Sequence, residues 1–113
     1  MHKKFRIKKN HEFQKIIFHK KIINTYNFVF YSKKNDLNFP RFGISVSKKL
    51  GNAAVRNKIK RQLRMFLINL SKEINFNNKK SIDIIIIVKK KFLLNNFEEN
   101  QKVFNKIIKQ IID

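Results

Sequence analysis

The sequence predicts an α+β fold in which helices pack against one small sheet, and three stretches carry that prediction. Ile82-Asp83-Ile84-Ile85-Ile86-Ile87-Val88 is almost wholly β-branched, the pattern of a central strand covered on both faces. Residues 53–70 place Val55, Ile59, Leu63, Phe66, Leu67 and Leu70 on one side of a helix, with Arg56, Asn57, Lys60, Arg61 and Arg64 on the other. Arg41 to Ser47 alternates, with Phe42, Ile44 and Val46 facing one way and Gly43, Ser45 and Ser47 the other, as a half-buried strand does.

The other elements follow from local chemistry. A first helix is expected from Asn10 as N-cap, with Glu12 in its first turn and Phe13, Ile16 and Ile17 at i, i+3 and i+4. Tyr26 to Tyr31 is aromatic and β-branched and reads as a strand, followed by a polar turn over Lys33 to Asn38. Lys48 to Asn52 is a basic loop containing Gly51, and Asn75 to Lys80 is a second loop. The last helix is expected over Phe97 to Ile111, with Asn96 as N-cap, Glu99 in capping-box position and an apolar stripe of Phe97, Gln101, Phe104, Ile108 and Ile111. The predicted order is helix, strand, strand, helix, strand, helix. With no repeat and no long linker in 113 residues, residues 1–113 are expected to form a single domain.

Charge narrows the function. The 27 Lys and Arg against 7 Asp and Glu give a net charge of +20, which calls for a polyanionic partner because unpaired like charge destabilises a compact chain. A membrane partner is not expected, since no run approaches the ~18 apolar residues of a spanning helix and Met1-His2-Lys3-Lys4-Phe5 leads into no signal-peptide core. The absence of cysteine removes thiolate chemistry and fits a cytoplasmic protein. Lysine, asparagine, isoleucine and phenylalanine crowd the chain as in an AT-rich coding sequence, so the placement of the five arginines is more telling than the total. Three of them, Arg56, Arg61 and Arg64, lie within nine residues.

Arg41 to Arg64 holds eight basic residues (Arg41, Lys48, Lys49, Arg56, Lys58, Lys60, Arg61 and Arg64) and no acidic one. Arg56, Lys60 and Arg64 recur at i, i+4 and i+8, which costs a few tenths of a kcal/mol per like-charged pair unless a phosphate backbone lies against that face. Arginine can fork onto phosphate or stack on a base, and Asn57 adds a donor and an acceptor for a base or a 2′-hydroxyl. A solvated helix face is the alternative, though such faces usually mix signs.

The run Arg41-Phe42-Gly43-Ile44-Ser45-Val46-Ser47-Lys48-Lys49-Leu50-Gly51-Asn52-Ala53-Ala54-Val55-Arg56-Asn57-Lys58-Ile59-Lys60-Arg61-Gln62-Leu63-Arg64 resembles the signature of the bacterial ribonuclease P protein subunit. Arg6-Ile7-Lys8-Lys9-Asn10 with Phe13, and the Ile-rich strand, sit at that family's usual distances, so the resemblance spans nearly the whole chain. It implies a two-layer α/β sandwich with a small mixed sheet and a left-handed β-α-β crossover through the arginine-rich helix, like the second domain of one small-subunit ribosomal protein. It implies the non-catalytic protein half of a ribonucleoprotein endoribonuclease that removes the 5′ leader of precursor tRNA. Ribonuclease P RNA with Mg2+ would perform the hydrolysis, and the protein itself would need no metal, cofactor or protein partner. By matching position, Arg56, Asn57, Lys60, Arg61 and Arg64 would form the arginine-rich RNA-binding motif, Lys48, Lys49 and Asn52 an RNA-binding loop, and Phe13, Ile17 and Tyr31 the cleft for the single-stranded leader. Phe13 at helical spacing with two isoleucines also reads as core, and Tyr31 reads equally well either way. Three positions depart from the family pattern: Ile17 where an aromatic often stands, Lys20-Lys21 where a glycine is usual, and Val88-Lys89-Lys90-Lys91-Phe92, which lacks the usual Arg and Pro.

Two rival readings are weaker. A self-sufficient nuclease needs converging carboxylates or histidines. Glu98 and Glu99 instead diverge by about 100° on a helix, Asp83 is alone in an apolar strand, His11 and His19 are two turns apart, and His2 lies near the terminus. A ribosomal or other structural RNA-binding protein would share the charge but has no reason to keep the arginine spacing.

Overall fold

The computed structural model describes residues 1–113. Four strands, β1 (Ile22–Asn24), β2 (Phe28–Lys34), β3 (Arg41–Ser45) and β4 (Ile82–Val88), form one sheet, with helices α1 (Asn10–Phe18), α2 (Ala53–Glu73) and α3 (Phe97–Ile112). The strand order is β1-β2-β4-β3. β1 and β2, and β2 and β4, pair antiparallel, whereas β3 pairs parallel to β4 with Phe42 opposite Ile84 and Ile44 opposite Ile86. The sheet is therefore mixed, and α2 is the crossover that carries the chain from β3 to β4, as parallel pairing requires.

Strand alternation divides the molecule. Phe28 and Phe30 of β2, Phe42 of β3, and Ile82, Ile84, Ile86 and Val88 of β4 face α2 and α3 in one core of 21 buried residues. This is the main sandwich. Ile85 points the other way and meets Ile16 of α1 and Ile7, with Phe13, Tyr31 and Ile87 packed around them. β4 is thus covered on both sides, as its composition predicts. Gly43 also faces α1, where a Cβ would lie 2.6 Å from Cζ of Phe13 and 2.7 Å from Cδ1 of Ile85, so the ring of Phe13 occupies the space a side chain would need.

The observed boundaries correct several expectations. α1 begins at Asn10, but its cap is Lys9, without a side-chain hydrogen bond. The cause lies upstream: the Ile7 amide donates to the Phe42 carbonyl at 2.9 Å, so the chain arrives extended, and the Lys9 carbonyl accepts from Glu12 and Phe13. Tyr26 lies outside β2, exposed at the tip of a hairpin that Thr25 closes by bonding the Phe28 amide and carbonyl. β1, unanticipated in the sequence, is the other arm of that hairpin, and β2 runs on to Lys34 before the turn. Val55 stays at the surface over Gly51, whose φ of +147° and whose missing Cβ, 2.9 Å from Val55 Cγ1, make glycine necessary there. On α3, Asn96 caps through the Glu99 amide as expected, but the inward residue is Asn100 rather than Gln101. Asn100 accepts from Asn27 at 2.7 Å and donates to the Phe92 carbonyl at 3.0 Å, a satisfied polar bridge that fixes the rotation of α3. Phe97 is half-exposed with its ring against Phe66. The loop after α2 contains a 3-10 turn whose Phe76 is buried against Phe5 and Phe42.

Candidate nucleic-acid interface

α2 is anchored along one side by Ile59, Leu63, Phe66, Leu67 and Leu70, which fixes what the opposite side presents. Asn57, Arg61 and Arg64 are exposed and Arg56 and Lys60 half-buried, and none of them takes part in an ion pair within the protein. Arg56 holds its Nε in an enclosed position with no hydrogen-bond partner in the protein. A donor left in that state costs about 1–3 kcal/mol, which an external acceptor would recover. The turn before α2 presents Lys48 and Lys49 to solvent in a 3-10 turn capped by Ser47. Asn52 has a structural task, since its Oδ1 accepts from the Val55 amide at 3.0 Å and caps α2.

Arg41 does not belong to this surface. Its guanidinium grips Asp83 in a fork, Nε to Oδ1 at 2.9 Å and a terminal nitrogen to Oδ2 at 2.7 Å, and the same nitrogen reaches Glu12 Oε2 at 2.9 Å. Asn35 adds a bond to Asp83 Oδ1 at 2.7 Å. The hydrogen bond to Asp83, with Glu12 behind it, raises the Arg41 pKa further despite partial burial, so the charge is permanent. Arg41 therefore ties α1 to β3 and β4, and the basic cluster read from the sequence loses one member to the fold.

A groove of about 430 Å³ runs between the N-terminal segment, the start of α1, β3 and α2, and Phe13, Lys60 and Arg64 all line it. Arg6 and Lys8, quoted above only for the resemblance and given no site role, join them there. The available signal was that Arg6 is one of only five arginines. Tyr31 is half-buried against the small cluster under α1 and does not line this groove. Ile17 lies apart from the groove, in a second recess at the C-terminal end of α1. At that end Lys20 adopts φ +61°, so the turn keeps a left-handed geometry without a glycine, at a cost of about 1–2 kcal/mol. The structure thus gathers Phe13 with Lys60 and Arg64, and leaves Asn57 and Arg61 farther round the helix.

What such a surface can do chemically is hold a polyanion. It offers exposed guanidinium and ammonium groups for phosphate and an aromatic ring at the wall of a basic groove. No helix is long and apolar enough to cross a membrane.

Known proteins share this fold. The ribonuclease P family model matches residues 1–112. The ribonuclease P protein component of Mesoplasma florum is 47% identical over 102 residues, covering 90% of each chain, and that of Listeria monocytogenes is 41% identical over 110 residues, covering 96% of this chain and 89% of the relative. Among solved structures, the ribonuclease P protein of Staphylococcus aureus superposes with a TM-score of 0.79 at 34% identity, covering 95% of this chain and 94% of that one. The protein from Thermotoga maritima gives 0.79 at 28% identity, covering 93% and 96%. Matched along nearly its whole length in sequence and in fold, the chain belongs to the ribonuclease P protein family, a family of tRNA processing.

Proposed function

We propose that the chain is the RNA-binding protein subunit of a ribonuclease P ribonucleoprotein, seating the catalytic RNA on α2 and the 5′ leader of precursor tRNA beside α1. The observation that carries this reading is the groove in which Phe13 stands among Arg6, Lys8, Lys60 and Arg64. A single-stranded leader needs both of its ingredients: cations along the backbone and a ring on which a base can stack, worth ~1–3 kcal/mol per base. The face of α2 bearing Asn57 and Arg61, with Lys48 and Lys49 before it, is free to take the phosphates of a folded RNA, while Asn52 shapes the turn that presents them. Each phosphate neutralised releases counterions, so affinity falls steeply with salt.

Hydrolysis is assigned to the RNA. Glu12 and Asp83 are both spent on Arg41, Asp113 pairs with Lys79, and Glu73 with Lys109. The magnesium ions the reaction needs would sit with the RNA. The protein contributes position and charge neutralisation.

The test is cleavage of a precursor tRNA at low magnesium by a bacterial ribonuclease P RNA, with and without this protein. RNA alone is expected to be slow, protein alone inactive, and the mixture fast. Tight RNA binding without rescue of a cognate RNA would overturn the subunit assignment in favour of a general RNA-binding protein.

A further inference from the structure

Of the twelve phenylalanines, ten are buried or half-buried and Phe97 leans on Phe66, but Phe18 stands 82% exposed with no aromatic or cationic partner. A lone exposed apolar residue is ordinary on a protein surface. The surroundings of Phe18 are not. It lines a recess of about 620 Å³ with Ile17, Lys15, His19 and Lys33, and no carboxylate borders it. Neither Lys15 nor Lys33 is in an ion pair, because the nearby Glu12 is held by Arg41. Lys20 and Lys21 follow directly in the chain, both exposed. A ring presenting its face beside unpaired cations is the arrangement that holds an unpaired nucleotide.

The recess takes Ile17 and Phe18 from the end of α1, whereas the groove described above takes Asn10 and Phe13 from its start. The two lie at opposite ends of a nine-residue helix, about 13 Å long. A single strand leaving the groove along α1 would come upon Phe18 next.

We propose that Phe18, with Lys15 and Lys33, forms a second subsite for unpaired RNA, stacking a leader nucleotide farther from the cleavage point than the one at Phe13. The inference rests on the leader reading of the first groove. It makes leader length a variable: short leaders end before the recess, and longer ones reach it. Ile17 closes the wall of the recess and leaves the stacking to its neighbour.

The experiment uses the protein assembled with its RNA and precursors whose leaders are lengthened one nucleotide at a time. Phe18→Ala is expected to weaken binding roughly five- to tenfold, the low end of the stacking range, but only for leaders beyond a threshold length. Phe18→Tyr should retain wild-type affinity at every length. In parallel, 2-aminopurine moved along the leader should show quenching at one distal position that Phe18→Ala abolishes. Because Phe18 is exposed, the variants should fold as the parent does, which circular dichroism checks. If Phe18→Ala binds every leader like wild type while Phe13→Ala weakens precursor more than mature tRNA, the second subsite is wrong and the first reading survives. If Phe13→Ala weakens precursor and mature tRNA equally as well, both readings fall. Equal weakening for leaderless tRNA would also overturn the subsite.

Discussion

On one side of the sheet, α2 and α3 bring Leu63, Phe66, Phe104 and Ile108 into a core of 21 buried residues; on the other, α1 contributes Ile16 to a cluster of three. The larger face is apolar and aromatic, with the ring of Phe104 against both Phe28 and Phe66, and needs no charge to hold it. The smaller face cannot hold α1 by burial alone. A nine-residue helix is marginal in isolation, and this one also lacks a side-chain cap. Its attachment is completed by Arg41, which reaches from β3 to Glu12 on α1 and to Asp83 on β4. The contrast teaches a division: the side that supports the arginine-rich helix is set by packing, and the side that shapes the groove at Phe13 is set by packing and one ion-pair clamp together.

Variants can break or sharpen that contrast. The largest loss of stability should come from Leu63→Ala, at 0% exposure in the main core: about 2–5 kcal/mol in urea unfolding, with the surviving folded fraction still binding RNA normally. A loss below about 1 kcal/mol would mean that this face is not the one carrying the fold. Arg41→Ala comes next, at about 2 kcal/mol, because it strands two partly buried carboxylates whose side chains are 10% and 27% exposed. Its signature is functional: discrimination of precursor from mature tRNA should fall more than affinity for the catalytic RNA, and equal losses would contradict a local role for the clamp. Gly43→Ala should cost about 1–3 kcal/mol by pushing a methyl into Phe13 and Ile85, and Phe13→Leu in the same chain should recover part of it. If the double variant is no better than the single one, Phe13 is not the residue that Gly43 accommodates. The smallest loss of stability is expected from replacing Arg56, Arg61 and Arg64 together with Ala: within about 0.5 kcal/mol at each of the exposed Arg61 and Arg64, and no loss from relieving the partnerless Nε of Arg56. That triple variant should instead flatten the salt dependence of RNA binding by about one slope unit per lost phosphate contact, measured by fluorescence titration; an unchanged slope would exclude the three as phosphate contacts.

The same contrast explains what the sequence allowed one to read. β4 and the start of α2 are visible locally because their hydrophobic periods are long and unbroken, and both appear where expected. The alternating strand β3 and the arginine face of α2 follow from such patterns too, whereas the parallel pairing of β3 with β4 is implied only by the family resemblance. What escaped depends on partners distant in the chain. Arg41 looks like any other member of a basic run until Asp83, 42 residues on, and Glu12, 29 residues back, are brought to it. Asn100 replaces Gln101 at the inward position because Asn27, 73 residues away, supplies the hydrogen bond that lets an amide be buried. β1 has three residues, too few for alternation to declare itself, and Tyr26 reads as strand by residue type, although the Thr25 turn excludes it. Phe13 answers to both of its readings, packed over Gly43 and lining the groove.

The short pairing of the N-terminal segment with β3 also bears on how this chain avoids its own copies. β3 is the last strand of the sheet, and its outer backbone groups would otherwise offer a template on which a second molecule could add a strand. Ile7 donates its amide to the Phe42 carbonyl, and Arg6 bridges the same residue, so part of that rim is already taken. At the opposite rim, β1 is only three residues long and is preceded by two lysines. A sheet built around five isoleucines in seven residues is a strong candidate for edge-to-edge aggregation. Here both rims are flanked by cationic residues, Arg6 at one and Lys20 and Lys21 at the other, which oppose the approach of a like-charged copy.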